Sequence, residues 1–121
     1  MAETLARIEI LRRKRDVARV RRLGTKAGTR FLSLRCAPNP DSPTYNLTAS
    51  ATSGRVAFLL PREVGNAVER NRLKRRLREI YRRNKDWFPA GQDCIIRPTV
   101  SAGRLSFEEL REQVRLATGT M

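Results

Sequence analysis

The stretch "AVERNRLKRRLRE", Ala67 to Glu79, puts Arg70, Arg72, Lys74, Arg75, Arg76 and Arg78 into one short run. Like charges at i, i+4 destabilise an isolated helix by a few tenths of a kcal/mol per pair, so such a run needs compensation. Leu73, Leu77, Ile80 and Tyr81 supply it by recurring at i, i+4, i+7 and i+8, the spacing of one helical face. A helix that buries this stripe holds its guanidinium groups at set positions, which a loose basic tail does not. The spacing predicts a helix from about Ala67 to about Asn84, opened by Asn66 as N-cap, with Glu69 three residues on completing a capping box.

On another face of that helix Asn71, Arg75, Arg78 and Arg82 follow i, i+4, i+7 and i+11, with Lys74 at their edge. Arg72, Arg76 and Arg83 fall on the opposite flank of the apolar stripe, so two separate stretches of a polyanion could be met. A solvated helix face normally alternates in sign, whereas only Glu69 and Glu79 oppose this series. Arginine also outnumbers lysine, and its planar fork binds phosphate oxygens two at a time. The reading is phosphate-backbone binding.

The rest of the chain points the same way. Its 121 residues suit one domain, 1–121, and 26 Lys and Arg against 12 Asp and Glu leave a net charge of +14. Nucleic acid offsets such an excess best, because each neutralised phosphate releases condensed counterions. An anionic membrane is the weaker partner, since no stretch approaches the roughly 20 apolar residues of a spanning helix. Histidine is absent, which removes the usual general base near neutral pH and the commonest metal ligand. No catalytic residue and no metal ligand set is expected of the protein itself. Cys36 and Cys94 lack the paired spacing of a zinc site and are read as two buried thiols in a cytoplasmic protein. The Arg-rich N-terminus carries Glu3, Glu9 and Asp16, which argues against a transit peptide.

Ile8, Leu11, Val17, Val20 and Leu23 are spaced for an N-terminal helix that stops at Gly24. "RFLSLRCA", Arg30 to Ala37, alternates as a half-buried strand does, and "RVAFLL", Arg55 to Leu60, suits a more buried one. Between them Ala37 to Gly54 reads as a loop, with Pro38, Pro40 and Pro43. Asp93 to Thr99 reads as a further strand. A helix then starts at Ser106, capped with Glu109 and facing inward through Phe107, Leu110, Val114 and Ala117. With a further short strand around Thr25 to Thr29, the order α-β-β(-β)-α-β-α predicts an α+β fold, a two-layer α/β sandwich of helices on a small mixed sheet.

"GNAVERNRLKRRLRE", Gly65 to Glu79, resembles the Arg-Asn-Arg signature of the bacterial ribonuclease P protein subunit, R-N-R-x-K-R-x-x-R, filled here by Arg70, Asn71, Arg72, Lys74, Arg75 and Arg78. The flanking "RFLSL", "GRVAFLL", "PAGQDCIIRP" and "LSFEELREQV" come in that family's order, so the resemblance covers about residues 10–117. It implies a left-handed crossover into the Arg-Asn-Arg helix. It also implies a partner: a catalytic RNA that, with bound Mg²⁺, removes the 5′ leader of precursor tRNA while the protein binds both RNAs. A cleft between the sheet and the N-terminal helix would hold the leader, and the family's cleft positions fall here on Val17, Arg21, Phe31 and Leu34. Only Phe31 among them is aromatic, so this cleft is expected to rely more on charge than on base stacking, which is worth about 1–3 kcal/mol per base. The family's Ser-Lys-Lys ahead of the glycine is replaced by Pro61, Arg62 and Glu63.

Composition alone also fits a structural RNA-binding protein of the ribosome or its assembly, and only the signature separates the two. A DNA-binding helix-turn-helix fits less well, because the basic helix is flanked by strands. No DNA partner is expected. An autonomous nuclease fits least, since Asp86, Asp93 and the scattered glutamates form no clustered ligand pattern.

Overall fold

The computed structural model describes residues 14–38, 55–88 and 91–119. In chain order these form helix α1 (Lys14–Leu23), strands β1 (Thr25–Gly28), β2 (Leu32–Pro38) and β3 (Val56–Phe58), helix α2 (Ala67–Arg83), strand β4 (Gln92–Pro98) and helix α3 (Phe107–Gly119). Short 3₁₀ turns at Arg62–Val64, Lys85–Trp87 and Val100–Arg104 link them. The expected element order holds, including the short extra strand near Thr25. Ile8 and Leu11 lie outside the described residues, as do Pro40 and Pro43 of the expected loop. Ala37 ends the expected strand, and Pro38, read as part of that loop, extends β2 by one residue.

The sheet runs β1-β2-β4-β3. β1 with β2 and β2 with β4 pair antiparallel, whereas β3 with β4 is parallel, the pair that α2 connects. Parallel neighbours need such a crossover because a tight turn can only reverse the chain. Side chains alternate across the pleat, so Leu32, Leu34 and Cys36 of β2, Val56 of β3, and Cys94 and Ile96 of β4 share one face and form the main core. Leu73, Leu77, Ile80 and Tyr81 of α2 and Leu110, Val114 and Ala117 of α3 cover that face. The predicted stripes on both helices are therefore the ones that are buried. At about 1.5–3 kcal/mol for each large apolar side chain removed from water, this layer supplies most of the hydrophobic stabilisation.

The opposite face carries α1. Val20 is buried there with Ala37, Ala57 and Ile95, and Val17 and Leu59 pack alongside. Gly24 ends α1 by donating its N–H to the Val20 carbonyl at 2.8 Å. A β-carbon on Gly24 would collide with that same oxygen, so glycine is required for the chain to turn directly into β1. The cysteines are buried as expected, but they are not thiols. Register sets Cys36 of β2 directly opposite Cys94 of β4, and the two form a disulfide.

Candidate nucleic-acid interface

Both caps inferred from the sequence are present. Asn66 Oδ1 accepts from the Glu69 N–H at 2.9 Å while Glu69 Oε1 accepts from the Asn66 N–H at 2.9 Å. Ser106 and Glu109 repeat the exchange at 3.1 and 2.8 Å ahead of α3. Gly65, at φ 155°, delivers the chain into the first cap in a conformation open essentially to glycine alone. The capped, buried helix then presents its cations outward. Asn71, Arg72, Lys74 and Arg75 are exposed, and Arg70, Arg78 and Arg82 are half-buried.

Arg82 differs from the rest of the expected row. Its Nε and Nη2 donate to the two carboxylate oxygens of Glu79 at 3.1 and 2.6 Å, and Arg83 Nε also reaches Glu79 Oε2 at 2.5 Å. The Arg82 hydrogen bond, with both guanidinium charges, holds the Glu79 carboxyl below the usual carboxylate range against the opposing effect of burial. The last turn of α2 thus spends part of its charge internally, while no carboxylate pairs with Arg70, Arg72, Lys74, Arg75 or Arg78 among the described residues.

A second cationic feature lies between α1 and the sheet, a cleft of about 450 Å³. Arg21 and Arg22 enter it from α1, Lys26 from β1, Arg35 from β2 and Arg97 from β4, and no carboxylate lines it. Ile95 and Leu59 give it an apolar floor. Of the expected cleft residues, Arg21 is in place. Val17 lies beneath, packed in the small cluster around Val20. Phe31 is not part of the lining and sits just before β2, with the Arg30 guanidinium 5.4 Å from its ring centre. Leu34 must be corrected: it is 1% exposed and belongs to the core under α2 and α3, on the other side of the sheet. Its neighbours Ser33 and Arg35 face the cleft instead, as period-two alternation requires once the covered face is known.

Sequence reasoning also missed what ties α1 to the sheet. Asp93, at the start of β4, is fully buried. Its carboxylate accepts from Arg55 Nε at 3.1 Å and Nη2 at 2.8 Å, and from Arg19 Nη2 of α1 at 2.5 Å. Arg19 Nη1 donates to the Pro38 carbonyl at 2.8 Å, and Asp16 stands 3.7 Å from Arg19 and 3.6 Å from Arg55. At the other end of α1, Arg35 Nη1 donates to the Arg21 carbonyl at 2.8 Å, satisfying an orphan acceptor of the last turn. One acid directly ahead of the apolar run Cys94, Ile95 and Ile96 was the available signal.

Fold and surface together define a small α+β protein with a cationic helix on one side of its sheet and a cationic cleft on the other. The Ribonuclease P family model matches residues 5–121. The ribonuclease P protein component of Natranaerobius thermophilus is 33% identical over 113 residues, covering 93% of this chain and 90% of that protein. That of Syntrophus aciditrophicus is 33% identical over 94 residues, covering 77% of this chain and 70% of that one. The Thermotoga maritima RNase P protein structure superposes with a TM-score of 0.74 at 28% identity, over 92% of this chain and 96% of that one. The Staphylococcus aureus RNase P protein shares the fold, with a TM-score of 0.75 at 19% identity over 93% and 94% of the two chains. The chain belongs to the ribonuclease P protein family.

Proposed function

We propose that this protein is the protein component of ribonuclease P, binding a catalytic RNA through α2 and the 5′ leader of precursor tRNA in the cleft, and so promoting 5′-end maturation of tRNA. The observation that carries the leader reading is the cleft itself. Its five cations, Arg21, Arg22, Lys26, Arg35 and Arg97, face an apolar floor with no acid among them. A single strand can lay its phosphates along such cations, and without an aromatic lining the affinity rests on charge rather than on base identity. In this reading α2 meets the catalytic RNA through Arg70, Asn71, Arg72, Lys74, Arg75 and Arg78, positioning its backbone rather than reading sequence.

Mg²⁺ enters the reading through the RNA. Among the described residues no group of three His, Cys, Asp or Glu could hold a metal, and buried Asp93 is already taken by Arg19 and Arg55. The donor set of the described residues does not fit a protein-held ion, and no step is assigned to one. Among the described residues no helix is long and apolar enough to cross a membrane.

The test is reconstitution with a cognate catalytic RNA at low Mg²⁺, following cleavage of precursor tRNA with and without the protein. Stimulation is expected; its absence would return the chain to a purely structural RNA-binding role. Arg75→Ala and Arg78→Ala should each weaken binding to the catalytic RNA and flatten its salt dependence by about one phosphate contact.

A further inference from the structure

A second depression, of about 220 Å³, opens where α2 meets the 3₁₀ turn Val100–Arg104, and it shares no lining residue with the cleft. Arg72 and Arg76 reach it from successive turns of α2, and Arg104 arrives from the far end of the 3₁₀ turn. Helical periodicity places the first two on one flank. Only the tertiary fold adds the third, from a segment 28 residues further along than Arg76 (104 − 76).

Arg76 is held from behind, its Nη1 donating to the Leu105 carbonyl at 3.2 Å. That bond aims the guanidinium while leaving other N–H groups of its fork open toward the depression. Arg72 and Arg104 are exposed and have no acid partner among the described residues. Glu69 is the one carboxylate in the lining, and its Oε1 is engaged by the Asn66 N–H of the cap. Three cations therefore converge against a single, partly committed anion, an arrangement that repels itself unless a polyanion joins it. No aromatic ring lines the depression, so it offers no stacking platform for a base. A β-carbon at Gly103 would meet nothing within 4 Å, so the approach along that rim is open.

We propose that Arg72, Arg76 and Arg104 form a second RNA-backbone site that takes phosphates of a structured RNA, while the cleft takes a single strand. The inference deepens the proposed function and rests on its RNA partner, adding Arg76 and Arg104 to the contacts of the basic helix. It assigns the two sites to different RNA segments, since they share no residue and lie on elements packed against opposite faces of the sheet.

The experiment compares the full chain with Arg76→Ala/Arg104→Ala and Arg76→Lys/Arg104→Lys, each shown to melt like the parent. Binding to the catalytic RNA and to a single-stranded leader oligonucleotide is measured across a KCl series. The alanine pair should flatten the catalytic-RNA slope by about two contacts, at roughly 0.9 per phosphate, and cost about tenfold or more near physiological salt, with the lysine pair restoring the slope. Leader binding should not change with either pair, whereas Arg97→Ala should reduce it. A folded alanine pair with an unchanged slope overturns the site. If the parent binds no catalytic RNA, the proposed function has failed instead. The same slope comparison on an RNA duplex of about 20 base pairs then still decides whether the site exists.

Discussion

The two faces of the sheet are held by different physics. Under α2 and α3 the contacts are apolar and continuous, with Leu32, Leu34, Ile96, Leu77, Ile80, Leu110 and Val114 all at or below 1% exposure. Under α1 only a small cluster around Val20 and Ile95 is buried, and the helix is secured by Arg19 to Asp93 and by Arg35 to the Arg21 carbonyl. Burial is non-directional and tolerant of exact angle, whereas charge-assisted hydrogen bonds fix position through a few atoms. The first face therefore makes the fold, and the second fixes a helix beside a groove through a few polar contacts.

Leu77→Ala tests the apolar face most severely. With the side chain fully buried among α2, α3 and the sheet, its loss should cost about 2–5 kcal/mol and lower the urea midpoint of the whole domain. Asp93→Asn tests the other face, at about 2 kcal/mol; this is below the range for a fully buried pair because Arg19 and Arg55 keep some solvent contact. Amide exchange should accelerate in α1 while α2 and α3 stay protected. If α2 opens equally, the two faces are one cooperative unit and the contrast between them collapses.

Smaller changes refine the picture. Ser106→Ala removes the side-chain acceptor for the Glu109 N–H and should cost about 1 kcal/mol by thermal melting, without altering leader binding. Glu79→Gln should have the smallest effect, about 0.2–1 kcal/mol as expected of a partly exposed ion pair. Because the folded Glu79 carboxyl is held below its usual value, its contribution is present above the ordinary carboxylate pKa and is lost as pH falls through the lowered folded value. Parent and variant should therefore converge in stability under acid, and a difference that persists there would remove the Arg82 and Arg83 pairing from the account.

What could be read in the sequence divides along the same line. The apolar periods of Leu73, Leu77 and Ile80 and of Leu110 and Val114, with their capping pairs, located α2 and α3, because those signals are local. The row of cations on α2 followed from the same periodicity. Of the cleft, the resemblance supplied the location and Arg21, but Lys26, Arg35 and Arg97 join it only after β2 pairs with β4 across about sixty residues of chain, Ser33 opposite Arg97 and Arg35 opposite Ile95. Alternation divides β2 into two sets without saying which a helix will cover, and the resemblance points to Leu34, whereas Ser33 and Arg35 of the other set line the groove. The Cys36 to Cys94 bond depends on that same register.

Asp93 also brings the end of β2 beside the residue that precedes β3. Through Arg19 this carboxylate is linked to the Pro38 carbonyl, and it binds Arg55 directly through both backbone N–H and side chain. The chain between residues 38 and 55 therefore departs and returns through a single fastening. Lengthening a segment already closed at its base costs little, about 0.6 kcal/mol for each doubling of loop length. Pro38 and Arg55, held together through Asp93 and Arg19, should therefore tolerate a longer connection between them at little cost to the stability of the sheet.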